Sequence, residues 1–293
     1  MNGFNRLLAL EQEIQGTSPK KQRKRRNGQA RQMRVYRRRY FNVNPATSAR
    51  SFAQIGQFGQ IPEGYLAVPV ANMVRGIDVS HHNGTVNWTQ VAGAGIVYAY
   101  MKATEGRTFE DPQFATNWAG SRAAGIVRGA YHVIREPSSS SVRDQAANFM
   151  NTVNHQRGDM PPALDVEFQF LERIINEQGV ANAWQYLWTW CQEVERGTGY
   201  QPILYMSERG ARSMNFNFGS LPSLELWMPR YRDLNNLPPL PLDARGQLVW
   251  PHWTFWQHSE RGRVAGIGSA HVDLNVYNGD RNAFNTWVQT VQP

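Results

Sequence analysis

Pro162-Ala163-Leu164-Asp165-Val166-Glu167 is the stretch on which the fold turns: a short apolar run that finishes on two carboxylates. A run of this length, rich in aliphatic residues, reads as a strand whose last residues leave the core. Comparable runs recur at Gly76–Val79, Ile96–Met101, Val127–Val133, Pro202–Tyr205, Leu224–Met228, Trp253–Trp256 and His271–Leu274. Between the earlier ones lie stretches with helical character, at Asp111–Ala124, Ser141–His155 and Asn176–Arg196. Strand–helix alternation over residues 73–293 predicts a parallel α/β barrel in one domain. The later runs lie closer together, with less helical sequence between them. The second half is therefore expected to be less regular.

Barrel sites form where strands end and loops begin, so acids that finish apolar runs carry the chemical information. Asp78 lies in Gly76-Ile77-Asp78-Val79-Ser80, and Asp273 in His271-Val272-Asp273-Leu274-Asn275. With Asp165 and Glu167 they make four acidic strand ends. A strand alternates its faces, so Asp165 and Glu167 point the same way, about 7 Å apart along the chain. Two carboxylates on one inward face resist simultaneous ionisation, and one pKa rises. A carboxylic acid that keeps its proton near neutrality can donate it to a leaving oxygen, as glycoside hydrolysis requires. Acids at strand ends also cap helices, pair with arginine or bind ions, and spacing alone leaves those roles open.

The local motifs go further. Asp78-Val79-Ser80-His81-His82-Asn83-Gly84 with Val86-Asn87-Trp88, Lys102-Ala103-Thr104-Glu105-Gly106, Gly129-Ala130-Tyr131-His132, Leu164-Asp165-Val166-Glu167, Leu226-Trp227 with Tyr231, Trp256-Gln257-His258-Ser259 and Asp273-Leu274-Asn275-Val276-Tyr277-Asn278-Gly279 follow one another in order. Over residues 74–288 this set resembles the family-25 glycoside hydrolases, the muramidase-type lysozymes. The resemblance implies an irregular, flattened TIM-like (β/α) barrel with fewer helices than strands. It implies cleavage of the β-1,4 bond between N-acetylmuramic acid and N-acetylglucosamine in bacterial peptidoglycan, with no cofactor. It implies Glu167 as general acid and Asp165 as its partner, orienting an acetamido group or stabilising the sugar cation. Asp78 and Asp273 complete the acidic cluster. Tyr131 and Gln257 would contact substrate or orient the acids, Trp227 would offer a flat face to a sugar ring, and Tyr231 would join the binding set. Asn83 stands where the family commonly has glutamine, and Val133 where an aromatic is usual; neither departure touches the four carboxylates. Two alternatives remain beside this reading: a catalytically silent wall-binding or structural protein, and a hydrolase of chitin-type polymers.

Other residues are less eloquent. Lys102 is the only lysine in residues 73–293; its point charge would hold a sugar oxygen or an inner carboxylate, or form a buried ion pair. His81, His82, His132 and His271 fall near the expected mouth, but their spacing forms no zinc site. Cys191 is alone, which excludes an internal disulfide or a thiolate cluster, and it reads as a packed core thiol.

Charge divides the chain in two. The net charge is +8, from 31 Lys+Arg and 23 Asp+Glu. Residues 1–72 hold 13 basic and 3 acidic side chains, whereas 73–293 hold 18 and 20. An arm of +10 therefore precedes a body of −2, and the boundary 72/73 separates a basic arm and linker from the barrel domain. Lys20–Arg39 carries 11 basic residues and no acid, interleaved with Tyr36 near its end, and is expected to be disordered when free. The arm is expected to anchor the enzyme through protein partners in a larger assembly, a phage virion; nucleic acid and anionic wall polymers or headgroups are the competing partners. No membrane span and no secretory signal are expected, which places the chain in a virion, or in the host cytoplasm and then at the cell wall.

Overall fold

The computed structural model describes residues 69–135, 139–214, 224–235, 237, 238, 240, 250 and 252–293. The expected arm lies outside them except at its last residues, where Val70–Asn72 forms a 3-10 turn leading into the first strand.

The described residues contain strands β1 (Val74–Val79), β2 (Tyr98–Glu105), β3 (Phe109–Glu110), β4 (Val127–Val133), β5 (Ala163–Val166), β6 (Ile203–Met206), β7 (Leu226–Pro229), β8 (Phe255–Gly262) and β9 (Val272–Tyr277). The helices are α1 (Trp88–Gly93), α2 (Phe114–Ala123), α3 (Ser139–Thr152), α4 (Phe168–Thr198), α5 (Glu208–Ser213) and α6 (Arg281–Thr290). The order β1-β9-β8-β7-β6-β5-β4-β2 closes through a β1–β2 pairing, and β3 adds a short edge to β2. This is the expected irregular barrel with fewer helices than strands. Helix α4 begins earlier than predicted because two helices run together across Gly179, whose φ of 81° breaks the helical path.

One expectation needs correction. The barrel is not all parallel: β9 runs antiparallel to both β8 and β1. The connection 263–271 contains no helix and is shorter than the dozen or more residues a parallel crossover needs. The chain can only turn back.

Alternation along the strands builds the interior in layers. Tyr98 and Tyr100 of β2 face inward, and each ring takes its space from a glycine on the neighbouring strand. Gly76 of β1 is in register with Tyr98, and Gly129 of β4 with Tyr100. A Cβ at Gly76 would stand 2.3 Å from the Tyr98 ring, and one at Gly129 would stand 2.4 Å from the Tyr100 ring. Below them, Phe284 and Trp287 of α6 pack on Tyr98, Phe255 and Tyr277, with ring centroids 5.2–5.6 Å apart. This aromatic floor stops the barrel at the end where the parallel strands begin. Above, Tyr100 stacks on Trp227 at 4.8 Å. One further layer up, the inward positions turn polar.

A buried bidentate pair ties β4 to the loop before β5. Arg128 Nε and Nη2 donate to Asp159 at 2.8 and 3.2 Å, Nη1 donates to the Trp118 carbonyl at 2.7 Å, and the guanidinium lies over the Trp118 ring. Each of its three nitrogens therefore has an acceptor, as a buried charge requires.

The glycine–tyrosine register gives a test. Gly129→Ala overpacks the barrel and should cost about 1–3 kcal/mol, seen as a lower urea midpoint at unchanged slope. Gly93→Ala, where a Cβ meets nothing within 4 Å, should leave the midpoint unchanged or raise it slightly. Equal effects of the two substitutions would show that the register does not constrain the core.

Candidate active site

Asp78, Tyr131, Asp165, Glu167, Tyr205, Trp227, Tyr231, Gln257, Glu260 and Asp273 line a cleft of about 210 Å³ at the mouth of the barrel. Eight of the nine residues expected from sequence are thus brought together. A larger groove of about 850 Å³, between the start of α1 and residues 266–268, has no titratable side chain in its lining and no share in this chemistry.

The strands explain how the acids meet. Asp78 is next to last in β1 and Asp165 next to last in β5, so both arrive at the mouth facing inward. Glu167 lies just past β5, still extended at φ −66°, ψ 137°, directly before α4 and without a side-chain capping bond to it. Asp273 stands near the beginning of β9 rather than at a strand's end, and reaches the mouth only because β9 is reversed. The register sets it directly opposite Asp78.

Asp78 is the hub. Its Oδ2 accepts from Gln257 Nε2 at 2.9 Å and from Asn275 Nδ2 at 2.7 Å. Both amides are held from behind. Trp227 Nε1 donates to Asn275 Oδ1 at 2.8 Å, while the Tyr205 and Tyr231 hydroxyls donate to Gln257 Oε1 at 2.8 and 3.2 Å. Each amide can therefore present only its NH₂ to Asp78, so the network fixes the carboxylate's place and charge.

Burial raises the pKa of Asp78, against the hydrogen bonds from Asn275, Gln257 and Asp273. Asp273 is pushed up to about 9, by burial first and then by the charge of Asp78. The two face each other in register, so a charge on either favours a proton on the other. Asp165 is raised well above the usual carboxylate range by burial, then by the charges of Glu167 and Asp78. Its Oδ1 is shut away from solvent with no hydrogen-bond partner, which leaves an orphan oxygen for a ligand to satisfy. Glu167 differs: its side chain is half exposed, and Oε2 lies 2.5 Å from Arg135 Nη1.

Two expectations are corrected by this geometry. Lys102 does not line the cleft. Its ammonium bonds to Glu105 and faces the Phe109 ring at 5.3 Å, and a bulge in β2 between Lys102 and Thr104 re-aims the strand there. Trp227 lines the cleft but is only 2% exposed, since its ring is packed among Tyr100, Tyr131 and Tyr205. It cannot offer an open face to a sugar; the exposed aromatic at the cleft is Tyr231, at 50%.

Sequence reasoning passed over Tyr205, Asn275, Glu260 and Arg135. The first two carried a weak signal, as polar positions in runs already read as strands. Nothing local marked the others. The four histidines scatter: His132 is buried between Thr104 and Gln145, His81 pairs with Asp111 at 2.7 Å, and His82 and His271 are exposed. Burial pushes the Cys191 thiol up, in keeping with a packed core group.

The profile described as Glycosyl hydrolases family 25 matches residues 77–267. The chain is 33% identical over 269 residues to protein YegX of Escherichia coli strain K12, covering 88% of this chain and 90% of that protein. It is 31% identical over 210 residues to Lysozyme M1 of Streptomyces globisporus, covering 70% of this chain and 68% of that one. Its fold is similar to that of the bacterial lysozyme from Streptomyces coelicolor, with a TM-score of 0.61 at 30% identity over 74% of this chain and 98% of that chain. The profile spans most of the barrel, from before Asp78 to beyond Glu167, and the chain belongs to family 25 of the glycosyl hydrolases.

Proposed function

We propose that this glycoside hydrolase is an N-acetylmuramidase, cutting the β-1,4 bond between N-acetylmuramic acid and N-acetylglucosamine in peptidoglycan. The observation that carries the reading is the cleft itself: five carboxylates line it, and they differ sharply in environment. Glu167 is the most accessible of the Asp165–Glu167 pair, so it is placed to meet a leaving oxygen as general acid. Asp165 sits deeper with an orphan oxygen, suited to an acetamido N–H or to a developing positive charge on the sugar. Asp78 and Asp273 face each other behind them. Tyr231 supplies the exposed ring and Tyr131 a wall. Lysozyme M1 and the N,O-diacetylmuramidases of Arthroderma benhamiae and Chalaropsis, by their names, support this substrate class.

We further propose that residues 1–72 form an arm that anchors the barrel in a larger assembly, a phage virion in the simplest case. Charge supports the division: the arm's +10 has no use in cutting an uncharged glycosidic bond, and the body manages its acids without it. Nucleic acid or anionic wall polymers as the arm's partner would show as retention that fades steeply with salt and needs no virion protein.

Three outcomes test these assignments. Glu167→Gln should slow the clearing of purified cell walls roughly 10²–10⁴-fold while leaving wall binding intact. New reducing ends should appear from peptidoglycan and not from chitin; the reverse pattern would move the substrate to N-acetylglucosamine polymers, and binding without reducing ends would mark a silent barrel. Asp273→Asn should lower activity yet raise thermal stability at pH 8. The sign follows from linkage: Asp273 rises from 3.8 to about 9 on folding, so its stability cost accumulates from about pH 4 upward. The stability gain of the variant should shrink as pH falls toward 4, and a gain independent of pH would reject the coupling of Asp273 to Asp78.

A further inference from the structure

We propose that Arg135 is a positioning residue that holds the Glu167 carboxylate at the edge of the cleft, and that Glu105 tunes this hold by competing for the same guanidinium. The inference rests on Glu167 being the acid, and it goes beyond that assignment.

Arg135 follows β4 at the mouth of the barrel. Its Nη1 donates to Glu167 Oε2 at 2.5 Å, and its Nε donates to Glu105 Oε1 at 2.9 Å. Lys102 bonds to the other oxygen of Glu105. The result is a chain of alternating charge, Lys102–Glu105–Arg135–Glu167, running from the buried bulge of β2 to the edge of the cleft. One guanidinium serves two carboxylates through different nitrogens, so neither holds it in a full fork.

The placement of Arg135 is built. Its N–H donates to Gln145 Oε1 at 2.9 Å, and its carbonyl accepts from Tyr186 Oη at 2.6 Å and from Gln145 Nε2. Gln145 is fully buried on α3, and Tyr186 is buried on α4. Gln145 and Tyr186 also bond each other at 2.7 Å. Behind them, His132 links Gln145 to Thr104. Both backbone groups of one residue at the rim are thus gripped by buried side chains from two helices. A surface arginine needs no such support; a group that must hold a reacting side chain within a fraction of an ångström does.

Among the described residues, the following charges face this chain. From β2 come Lys102 and Glu105. From β4 come Tyr131 and His132, the latter buried and pushed down to about 4 by that burial, hence neutral at working pH. From β5 comes Asp165. Across the cleft stand Asp78, Glu260 and Asp273, with the Tyr205 and Tyr231 hydroxyls. Arg209 of α5 lies over the ring of Phe168 and pairs with Glu172 instead. Burial alone would raise Glu105; the hydrogen bonds from Lys102 and Arg135 outweigh it and hold it below its usual range.

A cation beside a carboxyl group favours its charged form, whereas an acid must carry a proton. Glu105 resolves the conflict by drawing part of the guanidinium away, and Lys102 keeps Glu105 from taking all of it. The hold of Arg135 on Glu167 is then set by a balance, so the two sides of that balance must act in opposite directions. Removing the charge of Arg135 releases the Glu167 carboxylate. Removing the charge of Glu105 frees Arg135 for Glu167 and tightens that hold.

The test is the pH profile of kcat/KM on peptidoglycan for the full chain and its variants. The alkaline limb should move up by about one pH unit in Arg135→Gln and down in Glu105→Gln; the size is taken at the low end of the range for a charge partner, because Glu167 is half exposed. Arg135→Lys, which keeps the charge but has no second nitrogen to share, should move the limb less than Arg135→Gln. An unmoved limb in both charge-removing variants, or limbs that move the same way, overturns the inference. Should Arg135→Gln not fold, Glu105→Gln leaves the backbone grip intact and decides alone by the direction of its shift. Glu167→Gln, run alongside, separates the two claims: full activity there rejects the acid assignment itself, whereas an inactive variant with unmoved limbs elsewhere rejects only the role of Arg135.

Discussion

The reversal of β9 is the constraint on which the rest of this structure depends. In an all-parallel barrel, the beginning of the last strand would lie at the floor, and Asp273 with it. Run antiparallel, β9 brings Asp273 to the mouth opposite Asp78 and carries Tyr277 down to the aromatic layer beneath Tyr98 and Phe255. The same strand therefore completes the acidic cluster at one end and starts the chain toward α6, which closes the other. A short return loop, with no room for a crossover helix, accomplishes both.

Collecting acids in one place works against folding, because each carboxylate loses water and repels its neighbours. The molecule answers in two ways. Near the mouth, Gln257 and Asn275 aim their amides at Asp78, and Trp227, Tyr205 and Tyr231 fix the orientation of those amides. Below, the barrel is filled with large rings, interlocked by glycines on the adjoining strands. Burial of such side chains contributes about 2 kcal/mol each, so a few well-packed rings offset a strained pair of acids. Asp165, with its orphan Oδ1, is left uncompensated, and an uncompensated buried acid facing a cleft is a group waiting for a ligand.

Charge organises the protein on two scales. Across the whole chain, the basic excess belongs to residues 1–72 and the barrel is slightly acidic. Within the barrel, the lining of the cleft includes no lysine or arginine among the described residues, and the Arg135 guanidinium at its edge is shared between Glu105 and Glu167. A cation placed at the rim and divided between two acids can adjust a proton equilibrium without filling the space a sugar must occupy.

The sequence by itself determined the barrel class, the strand positions and the identity of the four acids, because apolar runs and their terminal carboxylates are local patterns set by alternation within a strand. Asp165 and Glu167 were legible as a pair since two residues of one strand necessarily share a face. The tertiary structure alone decided what those acids experience. Asp273 looked like a strand end but lies near a strand's start, a distinction made by the pairing partner and not by its neighbours in sequence. Trp227 looked like a platform and is enclosed by three tyrosines drawn from β2, β4 and β6. Lys102 looked like a ligand and was turned to Glu105 by a bulge that only the register of β2 against β4 reveals. Arg135 gave no signal, since its meaning lies in contacts with Glu105 and Glu167, 30 and 32 residues away. Local periodicity records which face a side chain takes, but proton affinity is set by everything within a few ångströms, and that set is assembled only when distant segments fold together.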